Sequence, residues 1–131
     1  MIRTRGLSHI ELRVGDIDDV ERTVRFYGDV FGFEVVARSD DRALLQVPGG
    51  LGSIAVAVAA AVADAVDRAG DGDHPSPGAT HFGLVLSDPR ELDAAVHLAV
   101  AHGGTLIART DHALGGATAL VADPAGHHIT L

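Results

Sequence analysis

A chain of 131 residues is the size of one domain and can bury a core without disulfide or metal staples. It contains no cysteine, which excludes disulfides, thiolate metal sites and a cysteine nucleophile. Its 18 acidic against 10 basic side chains give a formal charge of −8, which repels phosphate backbones, so nucleic acid is not an expected partner.

The opening residues, Met1 to Gly6, lead straight into an apolar strand without a secretory h-region, and no segment approaches the ~20 apolar residues of a membrane span. A soluble cytoplasmic protein is the expectation. Hydrophobic residues make up 47% of the chain, with four Phe, one Tyr and no Trp, so the core must be built largely from Ala, Val, Leu and Ile.

Residues 7–14 alternate, with Ile10, Leu12 and Val14 on one face and His9, Glu11 and Arg13 on the other, the period of a half-buried strand. Asp16 or Asp18 then caps a helix whose Val20, Val24, Tyr27 and Phe31 recur at helical spacing, and Gly32 ends it. The aromatic group Phe26, Tyr27, Phe31 and Phe33 reads as packing in and after that helix. Residues 33–38, 42–47 and 53–58 read as strands, whereas the Ala-rich residues 59–69 fit either strand overrun or a short helix. The turn-forming stretch from Asp71 to Gly78 reads as a linker.

The pattern then repeats. His81 to Asp88 aligns with His9 to Asp16 at an offset of 72 residues; Leu92 falls on Val20 and Val96 on Val24. In this second copy residues 80–86 are the strand, Ser87 or Asp88 the cap, and Pro89 opens a helix that ends at Gly103-Gly104. Residues 105–110, 117–122 and 127–131 supply three more strands, the last two joined by the turn Asp123-Pro124-Ala125-Gly126. The reading is one domain over residues 1–131, with repeat one at 1–70, linker at 71–78 and repeat two at 79–131. The fold class is α+β: two βαβββ repeats forming a partly open mixed β-barrel with helices outside.

Residue size suggests where that barrel has room. Ser53, Ala55 and Ala57 share one face of their strand, and Ala117 and Ala119 share one face of theirs; if branched neighbours pack under the helices, these small ones leave space inside. An apolar pocket with a few polar groups is the usual form of a small-molecule site. His9, Glu11, Arg13, Gln46, His81 and Thr130 are the polar candidates.

The segments Gly6-Leu7-Ser8-His9-Ile10, Phe26 to Phe33, Ala79-Thr80-His81-Phe82-Gly83 and Ala122-Asp123-Pro124-Ala125-Gly126-His127 resemble the vicinal oxygen chelate superfamily of glyoxalases, bleomycin-resistance proteins and extradiol dioxygenases. The resemblance covers essentially the whole chain. It implies metal ligands at His9 and His81 and, at the last-strand positions, carboxyl or amide ligands where this chain has Ala55 and Thr130. A true glyoxalase I site is therefore disfavoured, and a ring-cleaving dioxygenase site nearly as much.

Strand parity offers replacements: Glu11 shares a face with His9, and His128 with Thr130, so either could complete a three-ligand set with His9 and His81. A divalent ion (Zn, Fe, Mn or Ni) and no metal at all both remain open. His9, His81 and Glu11 are the candidate catalytic residues, and Arg13, Gln46, Ala55, His128 and Thr130 the candidate substrate-binding ones. The ordinary reading of Glu11 and Arg13 is a paired ladder position, that of the two histidines a polar lining; in the alternative, Arg13 binds an anionic group through its planar fork. His127 must face away from His128, and His74, His97, His102 and His112 read as surface residues.

Two functions follow from the resemblance. One is an enzyme handling a small oxygen-rich or aromatic metabolite by lyase, isomerase or dioxygenase-type chemistry, which the paired histidines favour. The other is a non-catalytic, antibiotic-sequestering binding protein, which the missing carboxylates favour. The resemblance also implies a homodimer.

Overall fold

The computed structural model describes residues 9–50, 52–59 and 81–131. The first module runs β1 (Ile10–Val14), α1 (Ile17–Phe31), β2 (Glu34–Arg38), β3 (Arg42–Gln46) and β4 (Ser53–Val58). The second runs β5 (His81–Gly83), a 3₁₀ turn (Pro89–Glu91), α2 (Leu92–Ala101), β6 (Thr105–Asp111), β7 (Ala117–Ala122) and β8 (His128–Thr130). The expected linker at 71–78, and residues 60–69, lie outside the described residues.

Each module folds its strands into one four-stranded sheet, in the orders β1-β4-β3-β2 and β5-β8-β7-β6. The first and last strands of each module are parallel neighbours and the remaining pairs are antiparallel. Parallel pairing requires a crossover, which α1 and α2 begin. The sheets are not closed into one barrel, in keeping with a partly open architecture.

Local chemistry sets the boundaries. Asp16 caps α1 by accepting from the Asp19 amide at 2.9 Å, and Gly32 closes it at φ 71°, where a side chain would be strained. Asp88 caps the 3₁₀ turn, with Pro89 at its first position. Among the described residues, the strand expected at 80–86 pairs from His81 to Gly83, against a β8 that spans His128 to Thr130.

The helices cover one face of each sheet. Leu12, Val14, Ile54, Val56, Val121 and Ile129 point into this core, where Tyr27 packs edge-on against Phe26 and Phe33 and also lies against Phe82 of the other module. Gly104 sits where the modules meet. A Cβ there would come within 2.7 Å of the Ala122 carbonyl, 2.9 Å of the Ala99 carbonyl and 2.9 Å of the Phe26 ring.

The repeat extends to the ion pairs outside the sheets. Arg38 on β2 meets Glu21 on α1, and Arg109 on β6 meets Asp93 on α2, with the acids 72 positions apart and the arginines 71. One expectation about the interior is corrected. Ala119, with Val121, lies in the helix-covered core, and the register puts Thr118, Leu120 and Ala122 on the opposite, open face. Alanine carries no signal for which side of a strand faces the helices, so the small-residue argument had no way to choose.

Candidate functional site

The open face of the first sheet collects most of the polar candidates. Cross-strand register sets Arg13 and Arg42 on either side of Ala57, Glu11 and Leu44 on either side of Ala55, and Gln46 beside Ser53. Residues directly opposite in a ladder share a face, so these side chains lie together. Arg42 Nη2 donates to Glu11 Oε2 at 3.0 Å, and Arg13 Nε stands 3.8 Å from Glu11 Oε1. Ala55 and Ala57 are only 4% and 1% exposed. Their small methyls give no empty floor; the long charged chains beside them occupy the space they release. His9, also on this face by parity, is exposed.

On the second sheet His81, His128 and Thr130 share the open face, since His81 pairs with His128 and Gly83 with Thr130. His81 Nε2 lies 2.8 Å from Thr130 Oγ1. If that nitrogen accepts from the hydroxyl, Nδ1 carries the ring proton, and the roles reverse in the other tautomer. His9 and Ser53 of the first module and Gly83 of the second border a cavity of about 250 Å³ at the seam, with Ile10, Ile54 and Phe82 among its mainly apolar walls. A larger cavity of about 430 Å³ lies against α1 and α2; its walls, among them Phe31, Leu84 and Leu98, are mainly apolar.

These donors do not fit a divalent ion. Ala55 and Thr130 bring no carboxylate, and the Glu11 carboxylate is held by a guanidinium. Among the described residues no three of His, Asp and Glu come together closely enough to hold a metal.

The sequence ranks His127 below His128, yet His127 has the more structured surroundings. His127 is buried, as strand parity with His128 requires, and ties the modules together. Its Nε2 lies 2.8 Å from the carbonyl of Arg13 on β1, and its Nδ1 2.8 Å from Asp123 Oδ2. A carbonyl only accepts, so Nε2 donates to Arg13; with Asp123 ionised, Nδ1 donates as well and the ring is an imidazolium. Burial opposes that charge, but the hydrogen bond and charge of Asp123, with the Arg13 carbonyl, outweigh it and raise the His127 pKa.

Asp123 also accepts from the buried Tyr27 hydroxyl at 3.0 Å and from the Ala125 and His127 amides at 2.9 Å each. Burial, then the neighbouring carboxylate, drives the Tyr27 phenol far above its ordinary pKa. The signal that could have found this lock is the Asp123-to-His127 spacing around a turn, but Tyr27 lies 96 residues away. His97, His102 and His112 are exposed, as expected, and His74 lies outside the described residues.

The family model of the Glyoxalase/Bleomycin resistance protein/Dioxygenase superfamily matches residues 6–131. The chain belongs to this superfamily. It is 29% identical over 124 residues to a catechol-2,3-dioxygenase of Bacillus subtilis (strain 168), covering 95% of this chain but 41% of that protein, so it spans less than half of that relative's length. A glyoxalase-related enzyme from Fulvimarina pelagi superimposes with a TM-score of 0.77 at 26% identity, over 97% of this chain and 86% of that one. A lactoylglutathione lyase from Agrobacterium tumefaciens does so with a TM-score of 0.74 at 21% identity, over 98% and 92%, which is a likeness of fold.

Proposed function

We propose that this superfamily member acts on a small oxygen-rich or aromatic metabolite held on the open face of its sheets, by proton transfer at its own side chains rather than through a bound ion. The observation that carries this reading is the contrast between two groups. His81 has a hydroxyl partner, Thr130, where a metal site would need a carboxylate, and Glu11, the nearest replacement, is neutralised by Arg42.

An imidazole nitrogen is a general acid–base group, so His81 can take a proton from a carbon or oxygen of the ligand and return it elsewhere. Thr130 holds the ring by one nitrogen and leaves the other to face the ligand. The relative named a catechol-2,3-dioxygenase supports an aromatic, oxygen-bearing ligand. Exposed Val35, Val36, Leu106 and Ile107 on the outer strands β2 and β6 support the homodimer that the superfamily resemblance implies, which sedimentation would check.

Phenylpyruvate, an enolisable aromatic oxo acid, is a suitable probe. In D₂O, NMR should show loss of its benzylic proton signal faster than in buffer, unchanged by chelator and about 100-fold slower with His81→Ala. A stoichiometric ion in protein purified without a His tag, lost in both His9→Ala and His81→Ala, would overturn the reading. The exposure of His81 favours a second one, sequestration without chemistry. It predicts binding of phenylpyruvate with no accelerated exchange.

A further inference from the structure

We infer that the ligand carries a carboxylate, and that Arg13 and Arg42 form its dock with Glu11 as their resident counter-ion. This rests on the reading that the open face binds the ligand. It starts from the donors. A guanidinium has five N–H groups in a planar fork. Among the described residues, Arg13 donates no hydrogen bond from its side chain and touches Glu11 only as an ion pair at 3.8 Å, while Arg42 donates to Glu11 alone, at 3.0 Å.

The forks lie on a shared face, flanking Ala57, whose methyl is too small to separate them. Two cations against one carboxylate leave one positive charge in excess, on a chain whose formal charge is −8. An anion repelled by the rest of the surface meets attraction here. The class of anion follows from the group already between the forks: the Glu11 carboxylate is a planar oxyanion at hydrogen-bond distance from Arg42. A second carboxylate from the ligand would bring the cluster to neutrality and take two parallel N–H bonds from Arg13, the geometry a guanidinium offers best.

The pair benzoate and benzamide isolates the charge, since the two have nearly the same shape. Titration of each into ¹⁵N-labelled protein, followed at the arginine Nε–Hε resonances, should show Arg13 and Arg42 shifting with benzoate and not with benzamide. Benzoate should bind roughly tenfold more tightly, a preference lost in Arg13→Met and in Arg42→Met. Arg13→Lys keeps the charge but not the fork and should retain only part of the preference, and it serves if the methionine variant fails to fold. Glu11→Gln should strengthen benzoate binding. Equal binding of the two probes, no binding of benzoate, or arginine resonances that do not move would overturn the proposal. His81→Ala should leave the benzoate preference intact while slowing proton exchange of phenylpyruvate about 100-fold, so failure of the carboxylate dock and failure of acid–base chemistry are read separately.

Discussion

The two modules repeat their helix-covered faces and diverge on their open ones. Outside, Glu21–Arg38 and Asp93–Arg109 occupy matching positions, and matching aspartates, Asp16 and Asp88, cap α1 and the 3₁₀ turn that leads into α2. On the open face the histidines match, His9 with His81, but Glu11 falls on Gly83 and Arg13 on Val85, which is 99% exposed. The junction is asymmetric too: Tyr27, the hydroxyl end of the buried lock, falls on Ala99 of the second helix. Duplicated topology therefore supplies a frame, whereas charge on one sheet and an imidazole with its hydroxyl on the other supply two different kinds of chemistry.

The largest effects should come from the asymmetric junction. Asp123→Ala removes the acceptor of four hydrogen bonds and leaves the His127 imidazolium and Tyr27 hydroxyl buried without their partner. Stripping one member from a buried charge pair costs about 3–5 kcal/mol, which thermal or urea unfolding would register as a large fall in stability. Gly104→Ala should come next, at roughly 1–3 kcal/mol, because two of the three atoms its methyl would meet are backbone carbonyls that cannot swing aside. A Gly104→Ala protein as stable as the wild type would show that the seam between modules is looser than its packing indicates.

The same lock should make stability depend on pH in a definite direction. His127 binds its proton more tightly folded than unfolded, so its contribution is complete below the unfolded value of about 6.5 and fades as pH rises through the raised native value. Urea midpoints of the wild type should therefore fall between pH 6 and the alkaline side of neutrality, and those of His127→Gln should fall less. A wild-type decline no steeper than that of the variant would mean that the ring is neutral and Asp123 carries the proton instead.

These contrasts mark what could be read from the sequence. Period-2 alternation in β1, the aspartate caps and Gly32 are local, and each was legible because the deciding interaction lies within a few residues. The face of Ala55 and Ala57 was legible through their branched neighbours Ile54 and Val56. That Ala57 lies between two arginines, and Ala55 between Glu11 and Leu44, was not, because it depends on which strand pairs with which and in what register. Arg42 was missed for that reason: 31 residues separate it from Glu11, and only the ladder through β4 makes them neighbours. His127 seemed the lesser of two adjacent histidines because, although the turn at Asp123 lies beside it, the Arg13 carbonyl and the Tyr27 phenol that complete its role come from the other module and are encoded far away.

The smallest effects should be those at the repeated ion pairs, and they offer the sharpest test of equivalence between the modules. Both pairs join an arginine on an outer strand to a carboxylate on the helix above, and all four side chains are well exposed to solvent. Exposed pairs contribute about 0.2–1 kcal/mol and weaken with salt. Double-mutant cycles built from Glu21→Gln with Arg38→Met, and from Asp93→Asn with Arg109→Met, should give small coupling energies, equal within about 0.5 kcal/mol. Arg109 has a second partner in Asp111, 3.4 Å away, whereas Asp40, at the matching place beyond Arg38, makes no ion pair with it among the described residues, so any excess should appear in the second module and vanish in Asp111→Asn. An excess in the first module would place the divergence outside the open face as well, and the helix-covered faces could no longer be treated as the common frame.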